Sequence, residues 1–215
     1  MFRLVVLLCL SYLVGSIPTS VIVGRVTRHI DIRNHGSGNA GATNAFRLLG
    51  WKAALMVLAV DVFKGWFAAA VISRWHFSEG ADAQHFDPTL AALLCGVAAI
   101  IGHVYPVFVK FRGGKGVATL AGVLLYLFPL SVGLGIIVMI CILALTGYVG
   151  LGSVATVLLL PVAAYFWYGS LNSWFGYFSI FIAAFITFTH RSNVSRLLAG
   201  TENRFEKIWL FKSRE

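Results

Sequence analysis

The sequence predicts an all-α fold: a polytopic membrane helix bundle of seven transmembrane helices, N-terminus outside and C-terminus cytoplasmic. Three observations carry this. First, 59% of the 215 residues are hydrophobic and only 12% are charged, with a mean hydropathy of +0.84; a soluble domain carries about 25% charged residues. Second, apolar runs of helical length follow one another with short polar gaps. Third, the formal net charge of +9 is concentrated in alternate gaps, as the positive-inside rule requires.

The runs cover residues 3–26, 48–74, 88–108, 116–130, 132–148, 153–170 and 174–190. A hydrocarbon core of about 30 Å takes about 20 helical residues, so the fourth and fifth runs are short. Pro129 separates those two, and Pro18, Pro106 and Pro161 kink or end others. The first run is long enough to be a retained helix rather than a cleaved leader. No internal repeat or linker breaks the chain, so residues 1–215 are expected to form a single domain.

With seven spans, one side collects Arg25, Arg28, Arg33, Arg47, Lys52, Lys110, Arg112 and Lys115, and with them Arg191, Arg196, Arg204, Lys207, Lys212 and Arg214. The other side has Arg3 and Arg74, with Glu79, Asp82 and Asp87 in its one sizeable loop. The basic side is expected to face the cytoplasm. Its short basic loops suit anionic lipid or substrate, and no nucleic acid partner is expected. Cys9, Cys95 and Cys141 stand alone in apolar runs, as packing or lipid-facing residues, and no His/Asp/Glu cluster has metal spacing.

Three polar islands fall on the basic side. The first, 31-DIRNHGSGNAGATNAFR-47, offers the short polar side chains Ser37, Asn39, Thr43 and Asn44, then Arg47 at the start of a helix. Such residues grip a phosphate or a glycerol hydroxyl. An ordinary polar loop reads the same way.

In the second, 102-GHVYPVFVKFRGGKGVAT-119, Gly113, Gly114 and Gly116 surround Lys115. Exposed glycine N–H groups, a cation and a helix beginning at Val117 make an anion site. It is no nucleotide-hydrolysing P-loop, because neither Gly116 nor Val117 supplies the Ser or Thr expected after the lysine. The third, 187-TFTHRSNVSRLLAGTENRF-205, sets His190 and Asn193 on one helical face. Ser153, in the small turn 150-GLGS-153, lies on the same side. Asp61 and Lys64, three apart inside a span, read as a structural ion pair facing the bundle interior, and His103 reads as structural too.

The blocks GSGNAGATN, GHVYPVFVKFRGGKGVAT and HRSN…GTEN, in this order, with 15-GSIPTS-20 and 61-DVFKG-65, resemble the PlsY family of bacterial acyl-phosphate:glycerol-3-phosphate acyltransferases. Nearly the whole chain shares the likeness. Ser192 departs from the family pattern, which has an acid there, so no carboxylate role is carried to that position.

The resemblance implies a seven-helix enzyme of the bacterial inner membrane with its active site at the cytoplasmic face. It would pass a fatty acyl group from acyl phosphate to the 1-hydroxyl of glycerol 3-phosphate, giving 1-acyl-glycerol 3-phosphate (lysophosphatidate) and phosphate. No cofactor is implied, the partners are the two substrates and the bilayer, and a monomer suffices.

His190, Asn193, Ser37 and Lys115 are then the candidate catalytic residues. Asn39, Thr43, Asn44, Arg47, Gly113, Gly114, Gly116 and Ser153 are the candidate substrate-binding residues. Both substrates carry phosphate, and fixed cations and N–H donors offset their repulsion. The acyl phosphate is a mixed anhydride with a good leaving group, so either His190 or a substrate phosphate serves as base, and His190 otherwise positions substrate. An acyl-enzyme through Ser37 has no activating partner, which favours direct transfer. The competing reading is a membrane transporter of a small organic phosphate, for which midplane polar groups and repeats are the expected marks.

Overall fold

A computed structural model describes residues 2–75 and 87–205. Every regular element among them is helical. Glu79, Asp82, Lys207, Lys212 and Arg214, used above for orientation, lie outside the described residues. The chain divides into two compact units, Met1–Phe128 and Pro129–Glu215.

In the first unit, α1 (Phe2–Gly15) and α2 (Thr19–Arg28) replace the single expected helix. Pro18 interrupts the backbone ladder between them, and the carbonyl of Ile17 accepts from Thr19 N at 3.0 Å and from Lys64 Nζ. Together the two stretches make a 27-residue apolar segment. α3 (Ala42–Leu49) is a short amphipathic helix. It ends at Gly50, whose φ of 89° turns the chain into α4 (Trp51–Ala70). The second span therefore starts three residues later than the apolar run at 48 suggests.

Asp87 caps α5 (Pro88–Val104) by accepting from Thr89 N and Leu90 N. α6 (Val117–Leu127) opens at Gly116, in a left-handed conformation.

Inside a bilayer no hydrophobic gain drives helices together, so close packing must. Glycine permits it. A Cβ at Gly65 would lie 1.9 Å from Thr119 O, and one at Gly122 would lie 1.9 Å from Val62 O, so α4 and α6 meet backbone to backbone. Leu7, Ala68, Ile72, Cys95 and Ala99 form a buried cluster joining α1, α4 and α5. Cys95 is thus a packing residue, while Cys9 and Cys141 are exposed.

The second unit holds α7 (Pro129–Thr146), α8 (Val149–Tyr168), α9 (Trp174–Thr189) and α10 (Arg191–Leu198). Pro129 opens α7, the tolerated place for proline in a helix. α8 begins four residues before the expected 153, so 150-GLGS-153 is the first turn of a helix and not a loop. α7 packs on α8, α8 on α9, and α10 on both α8 and α9.

Among the described residues, five segments are long and apolar enough to cross a membrane: Phe2–Arg28, Trp51–Arg74, Pro88–Val109, Pro129–Thr146 and Val149–Trp167. Val117–Leu127 and Trp174–Thr189 are shorter apolar helices.

Candidate active site

In the first unit the candidate residues fall on two loops and two helix ends. Asp31 opens the first loop, capping a 3-10 turn over Ile32–Asn34. Its carboxylate accepts from Arg33 N at 3.1 Å, Nε at 2.9 Å and an Nη at 2.6 Å. The Arg33 side-chain hydrogen bonds are the main reason the Asp31 carboxyl drops from 3.8 to about 2. Partial burial opposes that drop, and the Arg33 N–H and the charges of Arg33 and Arg25 add to it. The guanidinium of Arg33 is held above its ordinary value by the same hydrogen bonds.

Asn44 was expected to bind substrate. Its side chain is instead buried and committed: Oδ1 accepts from Ser37 N at 3.0 Å, and Nδ2 donates to Ile32 O at 2.8 Å and His35 O at 3.1 Å. With both amide protons used, it shapes the loop. Ser37, Asn39 and Thr43 are half-buried, and their side chains make no hydrogen bond among the described residues. Thr43 and Arg47 belong to α3, and Arg47 sits in its last turn rather than at a helix start.

The glycine loop follows a similar division. Gly113 N donates to Val104 O and Gly114 N to His103 O, each at 3.1 Å. Those two amides close the end of α5 and are not the exposed anion donors that the glycine run suggests. Their lack of a side chain matters more: a Cβ on Gly114 would lie 2.1 Å from His103 Nε2. Lys115 follows, then Gly116 with φ 89°, whose carbonyl accepts the first bond of α6 from Leu120 N at 2.8 Å. Lys115 adds a positive charge next to Gly116 and the N-terminus of α6, where the helix dipole is positive too.

Beneath the loop lies a buried charged group. Asp61 Oδ1 pairs with Lys64 Nζ at 2.7 Å, accepts from Thr19 Oγ1 at 3.1 Å and lies 3.7 Å from His103 Nδ1. Asp61 and Lys64 are each 2% exposed. The ion pair read from the sequence is therefore present. Asp61 thus lies beside His103, the residue against which Gly114 packs.

In the second unit His190 joins α9 to α10 and is buried. Its Nδ1 lies 2.8 Å from Ile186 O. A carbonyl only accepts, so Nδ1 carries a proton there; when the ring is neutral, the lone pair falls on Nε2. Asn193 donates to Glu202 Oε1 at 2.7 Å, and the other carboxylate oxygen takes Arg196 Nε at 2.7 Å. A Cβ on Gly150 would lie 2.8 Å from Asn193 Nδ2, so that glycine admits α10 onto the first turn of α8. Ser153 gives its hydroxyl proton to Val149 O at 2.9 Å. Ser192 is exposed.

Sequence reasoning passed over Arg33 as one of many basic loop residues and left Glu202 without a role. Glu202 had a signal, as the sole acid between Arg191 and Arg204. Arg33 had none, since its distant partners are backbone carbonyls. Among the described residues no group of His, Cys, Asp or Glu is arranged to hold a metal.

Long apolar helices joined by short polar loops define a multi-pass membrane protein. The glycerol-3-phosphate acyltransferase family model matches residues 5–200. Glycerol-3-phosphate acyltransferases from Chlorobium phaeobacteroides (strain BS1) and Chlorobaculum parvum are 39% and 40% identical to the chain, each over 95% of this chain and 97% of theirs. Two crystal structures of PlsY, an integral membrane glycerol 3-phosphate acyltransferase, superpose with it. The lysophosphatidic acid form has TM-score 0.80 and 32% identity, and the glycerol 3-phosphate form 0.79 and 33%; each covers 97% of this chain and 99% of PlsY. The chain belongs to the glycerol-3-phosphate acyltransferase family, that of PlsY. It is a membrane-embedded acyltransferase of phospholipid synthesis rather than a transporter.

Proposed function

We propose that the chain transfers a fatty acyl group from acyl phosphate to the 1-hydroxyl of glycerol 3-phosphate, yielding lysophosphatidate and inorganic phosphate. The reading extends to one acyltransferase domain over residues 1–215, working as a monomer in the bacterial inner membrane. Seven spans would comprise the five long apolar segments and the two shorter helices. The N-terminus would then be outside, with the C-terminus and the chemistry on the cytoplasmic side. The observation that carries the proposal is the set of uncommitted side chains of Ser37, Asn39 and Thr43, on the same unit as Lys115 and the N-terminus of α6. Two phosphate groups need such fixed donors and cations to react together. The PlsY forms with glycerol 3-phosphate and lysophosphatidic acid support the acceptor and the product.

In the step itself the 1-hydroxyl oxygen attacks the acyl carbonyl. A C–O ester bond forms, the anhydride bond between the acyl carbon and the bridging phosphate oxygen breaks, and phosphate departs with the bonding pair. The hydroxyl proton goes to His190 Nε2 or to the phosphate that leaves. Lys115, Gly116 and the α6 N-terminus neutralise one phosphate; Arg47, Ser37, Asn39 and Thr43 hold the other, with Asn44, Gly113 and Gly114 shaping the walls. Asn193 and Ser153 complete the polar set.

The test supplies purified protein with radiolabelled glycerol 3-phosphate and palmitoyl phosphate, palmitoyl-coenzyme A or palmitoyl-acyl carrier protein in turn. Labelled lysophosphatidate with stoichiometric phosphate release is expected from the acyl phosphate alone. Equal or faster turnover with a thioester would overturn the donor assignment.

A further inference from the structure

Arg33 joins two loops that the sequence keeps far apart. One edge of its guanidinium is gripped by Asp31. Its Nη1 donates to Val109 O at 2.8 Å and to Arg112 O at 3.2 Å. These carbonyls flank Lys110 and Phe111, two consecutive non-glycine residues held at φ 57°. Left-handed backbone is unfavourable for both, so something outside the segment must hold it. Phe111 N also donates to Pro106 O at 2.9 Å, and Arg112 leads directly into Gly113.

Below, Val109 packs in a buried cluster with Ala40 of the first loop and Val21 of α2. The Asp31 and Arg33 side chains are only 17% and 15% exposed, so the fork is sheltered from competing water.

We propose that Arg33, oriented by Asp31, is a positioning residue that fixes the segment before the glycine loop against the first loop, and thereby sets where Lys115 presents its charge. The inference rests on the reading that Lys115 and the start of α6 hold a substrate phosphate. Lysine cannot replace Arg33, because a point charge does not bond a carboxylate and two carbonyls in one fixed plane.

Arg33→Lys and Asp31→Asn test this in lipid nanodiscs. Two measurements are made: amide hydrogen exchange, and kinetics with each substrate varied while the other saturates. The expected result is exchange roughly tenfold faster in peptides spanning 105–116, with α4 and the second unit unchanged. The KM for glycerol 3-phosphate or for palmitoyl phosphate rises about tenfold while kcat stays within about threefold. Combined with Lys115→Ala, the Arg33→Lys loss in kcat/KM should shrink well below its size alone, since both act on one contact.

Unchanged exchange at 105–116 overturns the proposal, as does unfolding of both variants, which would make the pair a general stabiliser. Normal kinetics of Lys115→Ala would instead sink the phosphate reading and leave the exchange experiment to judge the clamp.

Discussion

The two units meet the same requirement, polar groups held still at the ends of apolar helices, by different means. The first builds its site on loops and braces them with charge: Asp31–Arg33 above, Asp61–Lys64 beneath. The second carries its candidates on helix ends, where His190 bonds back to Ile186 O and Ser153 to Val149 O. Its one ion pair among the described residues is Arg196–Glu202, which also holds Asn193. A loop lacks the regular ladder that fixes a helix end, so its carbonyls must be tied by side chains. The first unit should therefore depend more on single charged residues than the second.

The largest effect that would break this contrast lies at the buried pair. Asp61→Leu or Lys64→Met alone strands a charge and should cost about 3–5 kcal/mol, whereas the double substitution should cost much less. Thermal unfolding in detergent checks it; equal losses in single and double variants would deny the pair its role. Next comes Gly114→Ala, whose Cβ would collide with His103. It should lower kcat/KM about 100-fold with little change in unfolding temperature, because a shift of about 1 Å suffices for that loss.

In the second unit Glu202→Ala removes the acceptor of Asn193 and Arg196 and should cost about 1.5–3 kcal/mol, read by the same melts. A loss as large as that at Asp61 would erase the difference between the units. The smallest effect is pH-dependent. The Asp31 carboxyl is depressed from 3.8 to about 2. Its contribution is thus complete above 3.8 and is lost as pH falls through about 2. Asp31→Asn should remove that acid-side component from a stability-against-pH curve and leave the curve above pH 5 parallel to wild type.

Much of this was legible in the residues, for identifiable reasons. Apolar length set the helices, and Pro129 marked a real boundary because proline opens a helix well. Pro18 likewise marked the place where α1 and α2 part. The early start of α8 at Val149 was not legible, since a glycine turned toward α10 is a tertiary fact. The polar islands stood out by composition. Their division of labour did not: Asn44 and Asn39 look alike in sequence, and only the backbone groups around Asn44 reveal that its amide is already spent. Gly113 and Gly114 suggested exposed amides, yet the C-terminal carbonyls of α5 claim both, as unsatisfied helix ends do.

The proposed topology has the loops of the first unit and the helix ends that carry His190 and Asn193 all facing the cytoplasm. Single cysteines replacing the exposed Asn34, Lys110 and Ser192, in a chain freed of Cys9, Cys95 and Cys141, can be probed with a membrane-impermeant maleimide in sealed vesicles of known orientation. All three should label only from the cytoplasmic face. Labelling of Ser192→Cys from the opposite face to Asn34→Cys and Lys110→Cys would contradict it.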